Sequence, residues 1–481
     1  MEDNPFIGRE KELQYLQQHL ARGRSSLVVI KGRRRIGKSR LVTEFAAKSK
    51  GARLWNFSGL APEIAVDAQS QRDHFSMQLV AHLQIPPPIF KDWTEAFYYL
   101  SKHVQKGDIV LFDEISWMGS HDPTFIPKLK DWWDKLHTAF MLILCGSVSI
   151  WIEENILNST ALFGRINLIL ILMPLTIPES MELMQAAGFK GSEYNAYKLL
   201  SIFGGVPWYL GQVTLGMSAD EIIKELCFKK GGVLVVEFDH IFHDLFNGHG
   251  SVYRKILDAL QGGAKTLAEI RDFIDFAYSG TLSQLMENLI TAGFVQKRRL
   301  WAFATGKAKK QSLYRICDPY IRFYFKMIAP LRNKIDMGSL DDIPLSSIPG
   351  IDAHMGLQLE YLLLQNRKIL LERVGISPID VVNDGPYRQS HTSRYKGCQI
   401  DYLVQTVTKN IFIYEFKFVR GDLDFEIITA MQNKIAALKV PKGYAVVPVL
   451  FYMGWMTPAI ASAGYFYRTI DIADFLNIYS S

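Results

Sequence analysis

Cysteine is scarce in this chain: Cys145, Cys227, Cys317 and Cys398 are the only four in 481 residues, and no two form a CxxC pair. That excludes a disulfide framework and the common structural zinc patterns, and it makes a reducing cytoplasm the expected location. Strong charge of one sign is also missing. The net charge of +6 is mildly basic, which permits a nucleic-acid partner without implying one. No apolar segment opens the chain, because Glu2 to Glu12 is polar and charged, so no signal peptide is expected. Long uncharged runs are missing but for Gly443 to Tyr467, which has the length of a membrane span. Its two prolines, Pro448 and Pro458, its three glycines and its few leucines point instead to a buried strand, a turn and a packed helix. No membrane partner is expected.

What is present is a globular composition, 48% hydrophobic and 21% charged, in a chain too long for one core. The strongest local signal is Gly32-Arg33-Arg34-Arg35-Ile36-Gly37-Lys38-Ser39. It follows the apolar run Leu27 to Ile30, a strand, and precedes Arg40 to Lys48, a helix. Strand, glycine loop and helix together form a phosphate cradle: glycines let backbone N–H groups turn inward, and the helix N-terminus adds partial positive charge. Gly32, Gly37, Lys38, Ser39 and Arg40 are the candidate nucleotide contacts, with Lys38 on the β- and γ-phosphates and the Ser39 hydroxyl on magnesium.

A second apolar run, Ile109 to Phe112, ends in Asp113-Glu114. Downstream of a phosphate loop, that pattern assigns Asp113 to magnesium through water and Glu114 to polarising the attacking water. The strand Met141 to Ser147 places Ser147 at the C-terminal edge, where ligands bind in parallel α/β sheets. Ser147 is read equally well as a γ-phosphate sensor or as a helix N-cap. Arg165, in Leu162-Phe163-Gly164-Arg165, is either an arginine finger across a homo-oligomer interface or the local partner of a carboxylate. Gly204-Gly205-Val206-Pro207 breaks the helical pattern and marks a hinge.

These motifs occur in order behind an opening Phe-Ile-Gly-Arg-Glu, and over about the first 215 residues the set resembles the archaeal-type ATPases of the AAA+/STAND superfamily. The resemblance implies ATP as the nucleotide and a sheet with the sensor strand between the two Walker strands.

Three short helices follow, Ser251–Gln261, Thr266–Ala277 and Thr281–Ala292, and then strands Phe294–Arg299 and Gln311–Ile316. Three helices and a basic hairpin suggest a winged helix. Its wing residues Lys297, Arg298, Arg299, Lys307, Lys309 and Lys310 are the candidate phosphate contacts, against the reading of a solvated basic loop. Ser339 to Gly350 is rich in Ser, Pro, Gly and Asp and reads as a linker.

Beyond it, Gly356 to Leu371 reads as a helix carrying Glu360, followed by a basic stretch with Arg388, His391, Arg394 and Lys396. Gln399–Val404 and Ile411–Lys417 read as paired strands. Alternation puts Glu415 and Lys417 on one face, within reach of Asp401 on the neighbouring strand. A carboxylate pair and a lysine on one sheet face suit a magnesium-dependent phosphodiesterase. The arrangement resembles the PD-(D/E)XK nucleases. That resemblance implies Asp401 and Glu415 as metal ligands, Lys417 as the residue orienting the attacking water, Glu360 as a further metal-site glutamate, and Gln432 and Lys434 as added polar contacts. Ile400 stands where the literal pattern has proline. Magnesium is the expected metal there, with manganese as an alternative.

The expected fold is therefore multidomain α/β: a P-loop parallel α/β sheet over residues 1–215, a helical and winged-helix middle over 216–330, a linker over 331–350, and a C-terminal restriction-endonuclease-like α/β domain over 351–481. The expected function is an ATP-hydrolysing, magnesium-dependent enzyme acting on DNA, in DNA processing or defence. The alternative is a nucleotide-operated switch that binds DNA or protein and whose nuclease-like domain is inactive.

Overall fold

The computed structural model describes residues 5–61, 65–147, 150–246, 250–276, 279–301, 303, 306–389, 391 and 396–476. Arg394 lies outside the described residues.

Five short apolar runs form the first sheet: β1 (Ser26–Gly32), β2 (Leu54–Ser58), β3 (Ile109–Asp113), β4 (Met141–Ser147) and β5 (Ile166–Leu172). Their order is β2-β3-β4-β1-β5, and every pairing is parallel. The expected insertion of β4 between β3 and β1 is what this order contains. Alternate residues serve two cores, as strands covered on both faces require. Leu27, Val29, Val110 and Phe112 pack with Phe75, Trp93, Phe97 and Trp132 on one side. Val28, Ile30, Ile109 and Leu111 pack with Leu41, Val42 and Phe45 on the other. Trp132 stacks on Phe97 at 5.1 Å between ring centroids, so its role is packing.

After β5 come helices Ile177–Ala186, Glu193–Phe203, Pro207–Leu210, Ala219–Cys227 and Val233–Phe246, then helices Gly250–Leu260, Leu267–Ile274 and Ser279–Thr291, followed by the antiparallel hairpin β6 (Val295–Trp301) and β7 (Ala308–Ile316). Thr266 begins the second helix by accepting from the Glu269 N–H while Glu269 reaches back to the Thr266 N–H, a capping box. One end of the hairpin docks against the C-terminal half. Trp301 and Phe303 are buried beside Tyr387, Leu403 and Ile411 of the C-terminal half. Asn383 donates to the Gly306 carbonyl (2.8 Å), and Arg298 donates to the carbonyls of Asp384 and Pro386. Lys297 is paired with Glu287 at 2.7 Å. Of the six expected wing cations, Lys297, Arg299, Lys307, Lys309 and Lys310 remain exposed, and Arg298 is partly buried.

The stretch read as a linker is packed. Leu340, Leu345 and Ile348 are buried in a cluster that runs from Leu175 to Leu476. The helix expected over Gly356–Leu371 is two, Ile351–Gln365 and Arg367–Glu372, interrupted at Asn366.

The second sheet contains β8 (Val381–Gln389), β9 (Cys398–Thr406), β10 (Asn410–Asp422), β11 (Ala445–Trp455) and β12 (Arg468–Asp471), in the order β12-β11-β10-β9-β8. β8 to β10 are antiparallel, while β10, β11 and β12 run parallel. Helix Ile351–Gln365 covers the face of Tyr402, Val404, Tyr414 and Phe451. Helix Glu426–Ala437 covers the face of Leu403, Ile411, Ile413 and Leu450. The uncharged run near the C-terminus is β11 and the short helix Pro458–Ser462. Among the described residues no helix is long and apolar enough to cross a membrane.

Candidate functional sites

The phosphate loop joins β1 to helix Lys38–Lys48. Gly32 sits where a Cβ would lie 2.9 Å from Ile36 Cγ2 and 3.0 Å from the Leu172 carbonyl oxygen, so only glycine fits without a shift. Gly37, at φ +90°, turns the chain into the helix. Lys38 is buried, and its Nζ donates to the carbonyls of Gly32 and Arg33 at 3.3 Å and to Ser147 Oγ at 3.5 Å. No carboxylate neutralises it in these contacts. Its charge is held by loop carbonyls, a weaker hold than an anion would exert.

Ser39 Oγ donates to Asp113 Oδ2 at 2.5 Å, so the two proposed magnesium-side groups meet. Both are hard oxygen donors of the kind magnesium takes, and their convergence fits that ion. Glu114 follows at φ +46°, a left-handed conformation that turns it back over the strand end. Burial raises the pKa of its carboxyl, and the Asp113 charge adds to the rise, against the opposing pull of Lys38 and of the Ser147 backbone N–H. Lys38, Ser39, Asp113, Glu114 and Ser147 thus gather at the C-terminal edge of β1, β3 and β4. Arg40 lies exposed on the helix that follows the loop. Arg165 is held within its own chain, its Nε and Nη2 donating to the two Asp134 oxygens at 2.6 and 2.7 Å. This fork holds the Asp134 carboxyl down at about 2.

The C-terminal site assembles on β9 and β10. Glu415 is 3% exposed, and Lys417 lies beside it with Nζ 3.2 Å from Glu415 Oε1. Asp401 Oδ2 accepts the Phe416 backbone N–H at 3.0 Å, which ties the two strands where the chemistry would sit. Lys434, from helix Glu426–Ala437, donates to Glu415 and stands 3.7 Å from Asp401 Oδ1. Burial opposes the Lys434 charge, but Asp401 and Glu415 outweigh it and raise its pKa. Burial and then Glu415 raise the pKa of Asp401. Glu360 is pushed up to about 7 by burial and then by the charge of Asp401. It does not join Asp401 and Glu415 as a third ligand: among the described residues no group of three or more His, Cys, Asp or Glu side chains could hold a metal ion. The Lys434 ammonium stands between the two carboxylates. Two carboxylates are enough for a magnesium ion that keeps most of its waters, so the donor set fits one once Lys434 moves aside.

Five residues with no role assigned from sequence crowd the phosphate loop. Arg33 pairs with Asp318, and Arg35 donates to both oxygens of Glu237 at 3.2 and 3.3 Å. Tyr209 accepts from Arg33 at 3.3 Å. Three consecutive arginines inside the loop were the available signal, but their partners lie 202 and 285 residues away.

Residues 6–213 match the model of the ATPase domain predominantly from Archaea. With the motif geometry above, this part of the chain is similar to that ATPase domain. Similarity extends further to the uncharacterized protein MJECL04 of Methanocaldococcus jannaschii, 28% identical over 345 residues, covering 70% of this chain and 72% of that protein. Partial likenesses in solved structures include the Thermotoga maritima RuvB Holliday junction branch migration motor (18% identity, 60% of this chain and 90% of that one, TM-score 0.35). Another is the Aeropyrum pernix ORC2 protein (13% identity, 70% and 97%, TM-score 0.42).

Proposed function

We propose that this chain is a magnesium-dependent ATPase that acts on DNA, with a C-terminal PD-(D/E)XK-like domain that cleaves phosphodiesters. The observation that carries the ATPase reading is the convergence of Lys38, Ser39, Asp113, Glu114 and Ser147 at one sheet edge. Lys38 leaves the loop carbonyls for the phosphate oxygens of ATP. The loop N–H groups and the helix N-terminus hold the remaining negative charge. Ser39 and Asp113 would hold magnesium, which neutralises charge on the transferred phosphoryl group. Glu114, whose burial makes it the more avid for a proton, takes one from the attacking water.

The three helices and hairpin form a winged-helix-like unit in this reading. Because the hairpin is packed against the second sheet, DNA would meet this unit only through the cations that remain exposed. In the C-terminal site Asp401 and Glu415 would hold magnesium or manganese, which supplies a water of lowered pKa. Lys417 orients that water and offsets the charge developing on the phosphate.

The test is cleavage of plasmid and single-stranded DNA with magnesium or manganese, with and without ATP, by wild type, Asp401→Ala and Lys38→Ala. Cleavage that disappears in Asp401→Ala supports the nuclease, and the Lys38→Ala lane reports whether ATP controls it. The second reading, a nucleotide-operated switch, is favoured by Lys434 standing between the two carboxylates. Intact ATP hydrolysis with no cleavage under any condition would establish that second reading.

A further inference from the structure

A phosphate loop binds anions only while its backbone N–H groups point inward, and in this chain glycine alone does not keep them there. Arg35 is at φ +69°, a left-handed conformation that is disfavoured for a residue with a side chain, so the contacts that hold it there count. The restraint is visible. Its guanidinium grips both oxygens of Glu237 and lies 4.0 Å from the centre of the Trp208 ring. Glu237 is 1% exposed, on helix Val233–Phe246, and would be a costly buried charge without Arg35.

Arg33, two residues earlier, is likewise tied to a buried carboxylate. It pairs with Asp318, also buried, and donates to Tyr209 Oη, which donates in turn to Glu237 at 3.4 Å. The second Asp318 oxygen accepts the Ile321 N–H at 2.9 Å and caps the turn Pro319–Phe323. From that turn Arg322 donates to Gln358 on helix Ile351–Gln365. A buried chain of polar contacts therefore runs from the phosphate loop into the C-terminal half.

We propose that Glu237 and Asp318 are positioning residues for ATP: they hold Arg35 and Arg33, and thereby the loop, in the anion-binding conformation. Both lie outside the ATPase domain matched over residues 6–213. ATP affinity is then linked to the seating of the middle and C-terminal elements against the first sheet. The linkage is reciprocal, so bound ATP tightens that seating by the same factor. The inference rests on the ATP reading above.

The experiment measures binding of a fluorescent ATP analogue, with magnesium, to the full chain carrying Glu237→Gln, Asp318→Asn, Arg33→Met, or Arg33→Met with Asp318→Asn. Each single change should weaken binding about 5- to 100-fold, the range of ordinary coupling between sites. The double variant should be no weaker than the worse single one, because both changes break one contact. ATP should protect residues 339–350, which Leu345 and Ile348 seat in the core, from limited proteolysis in wild type and not in Asp318→Asn. Arg35→Lys keeps the charge without the fork, and its affinity should fall between wild type and Arg35→Met even if a carboxylate variant fails to fold. Binding within twofold of wild type in both carboxylate variants, while Lys38→Ala loses it, overturns the inference and leaves the ATP reading standing. So does a lower melting temperature with unchanged affinity. A wild type that binds no nucleotide removes both.

Discussion

Each half of the molecule sets carboxylates and lysines at a sheet, and the two differ in where the positive charge goes. In the N-terminal site Lys38 is held by carbonyls, while Asp113 is occupied by a serine hydroxyl. In the C-terminal site Lys417 and Lys434 are already paired with Glu415 and Asp401. The first leaves Lys38 without an ion-pair partner among the described residues, ready for an anion. The second is an acidic pair carrying its own counterion, so a divalent metal must compete for it. Backbone geometry creates the first site and strand pairing the second.

The largest effect should come from breaking the first site. Glu114→Gln should lower steady-state phosphate release from ATP by about 10²- to 10⁴-fold while nucleotide binding persists. Hydrolysis within tenfold of wild type would remove Glu114 as the base.

A further contrast lies in acid stability. His354, on the helix that covers the second sheet, is buried, and its Nε2 has no hydrogen-bond partner among the described residues. Burial, and then the charges of Arg322 and Lys326, lower its pKa from 6.5 to about 4. The unfolded chain therefore takes up the proton first. The stability this group contributes is intact above about 6.5 and is lost as pH falls toward 4, to a total of about 3 kcal/mol. His354→Gln should flatten the loss of stability over that window in chemical denaturation. An unchanged pH profile would show that His354 is not a source of it.

The counterion contrast sharpens at Lys434. Lys434→Gln should tighten manganese binding about tenfold in calorimetry, because a unit charge near 4 Å is removed from the two carboxylates. Unchanged or weaker affinity would mean that Lys434 supports the metal instead of competing with it. The smallest effect is expected at Arg165, whose fork is already filled by Asp134. Arg165→Ala should alter ATP turnover by less than about tenfold, whereas loss of a true finger costs about 10³-fold or more. A drop of that larger size, dependent on protein concentration, would make Arg165 a finger acting in trans.

The phosphate loop was legible because all of it lies within eight consecutive positions, and glycine, lysine and serine at those spacings serve few other purposes. Asp401 and Glu415 were legible because adjacent antiparallel strands bring them together with only a short turn between. The hairpin β6–β7 was legible as strands, but its docking on the second sheet was not. Its basic residues promise exposure, while Trp301 and Phe303 decide the docking. The segment 339–350 carried the composition of a linker, yet Leu345 and Ile348 were enough to seat it.

The sequence by itself determined the order of the elements, the phosphate loop, and the residues that could carry charge at each site, because those depend on local spacing. Only the tertiary structure decided which charges neutralise one another. Arg35 meets Glu237 across 202 residues and Arg33 meets Asp318 across 285. No local pattern predicts such pairs, since burial makes an ion partner necessary only after the chain has packed.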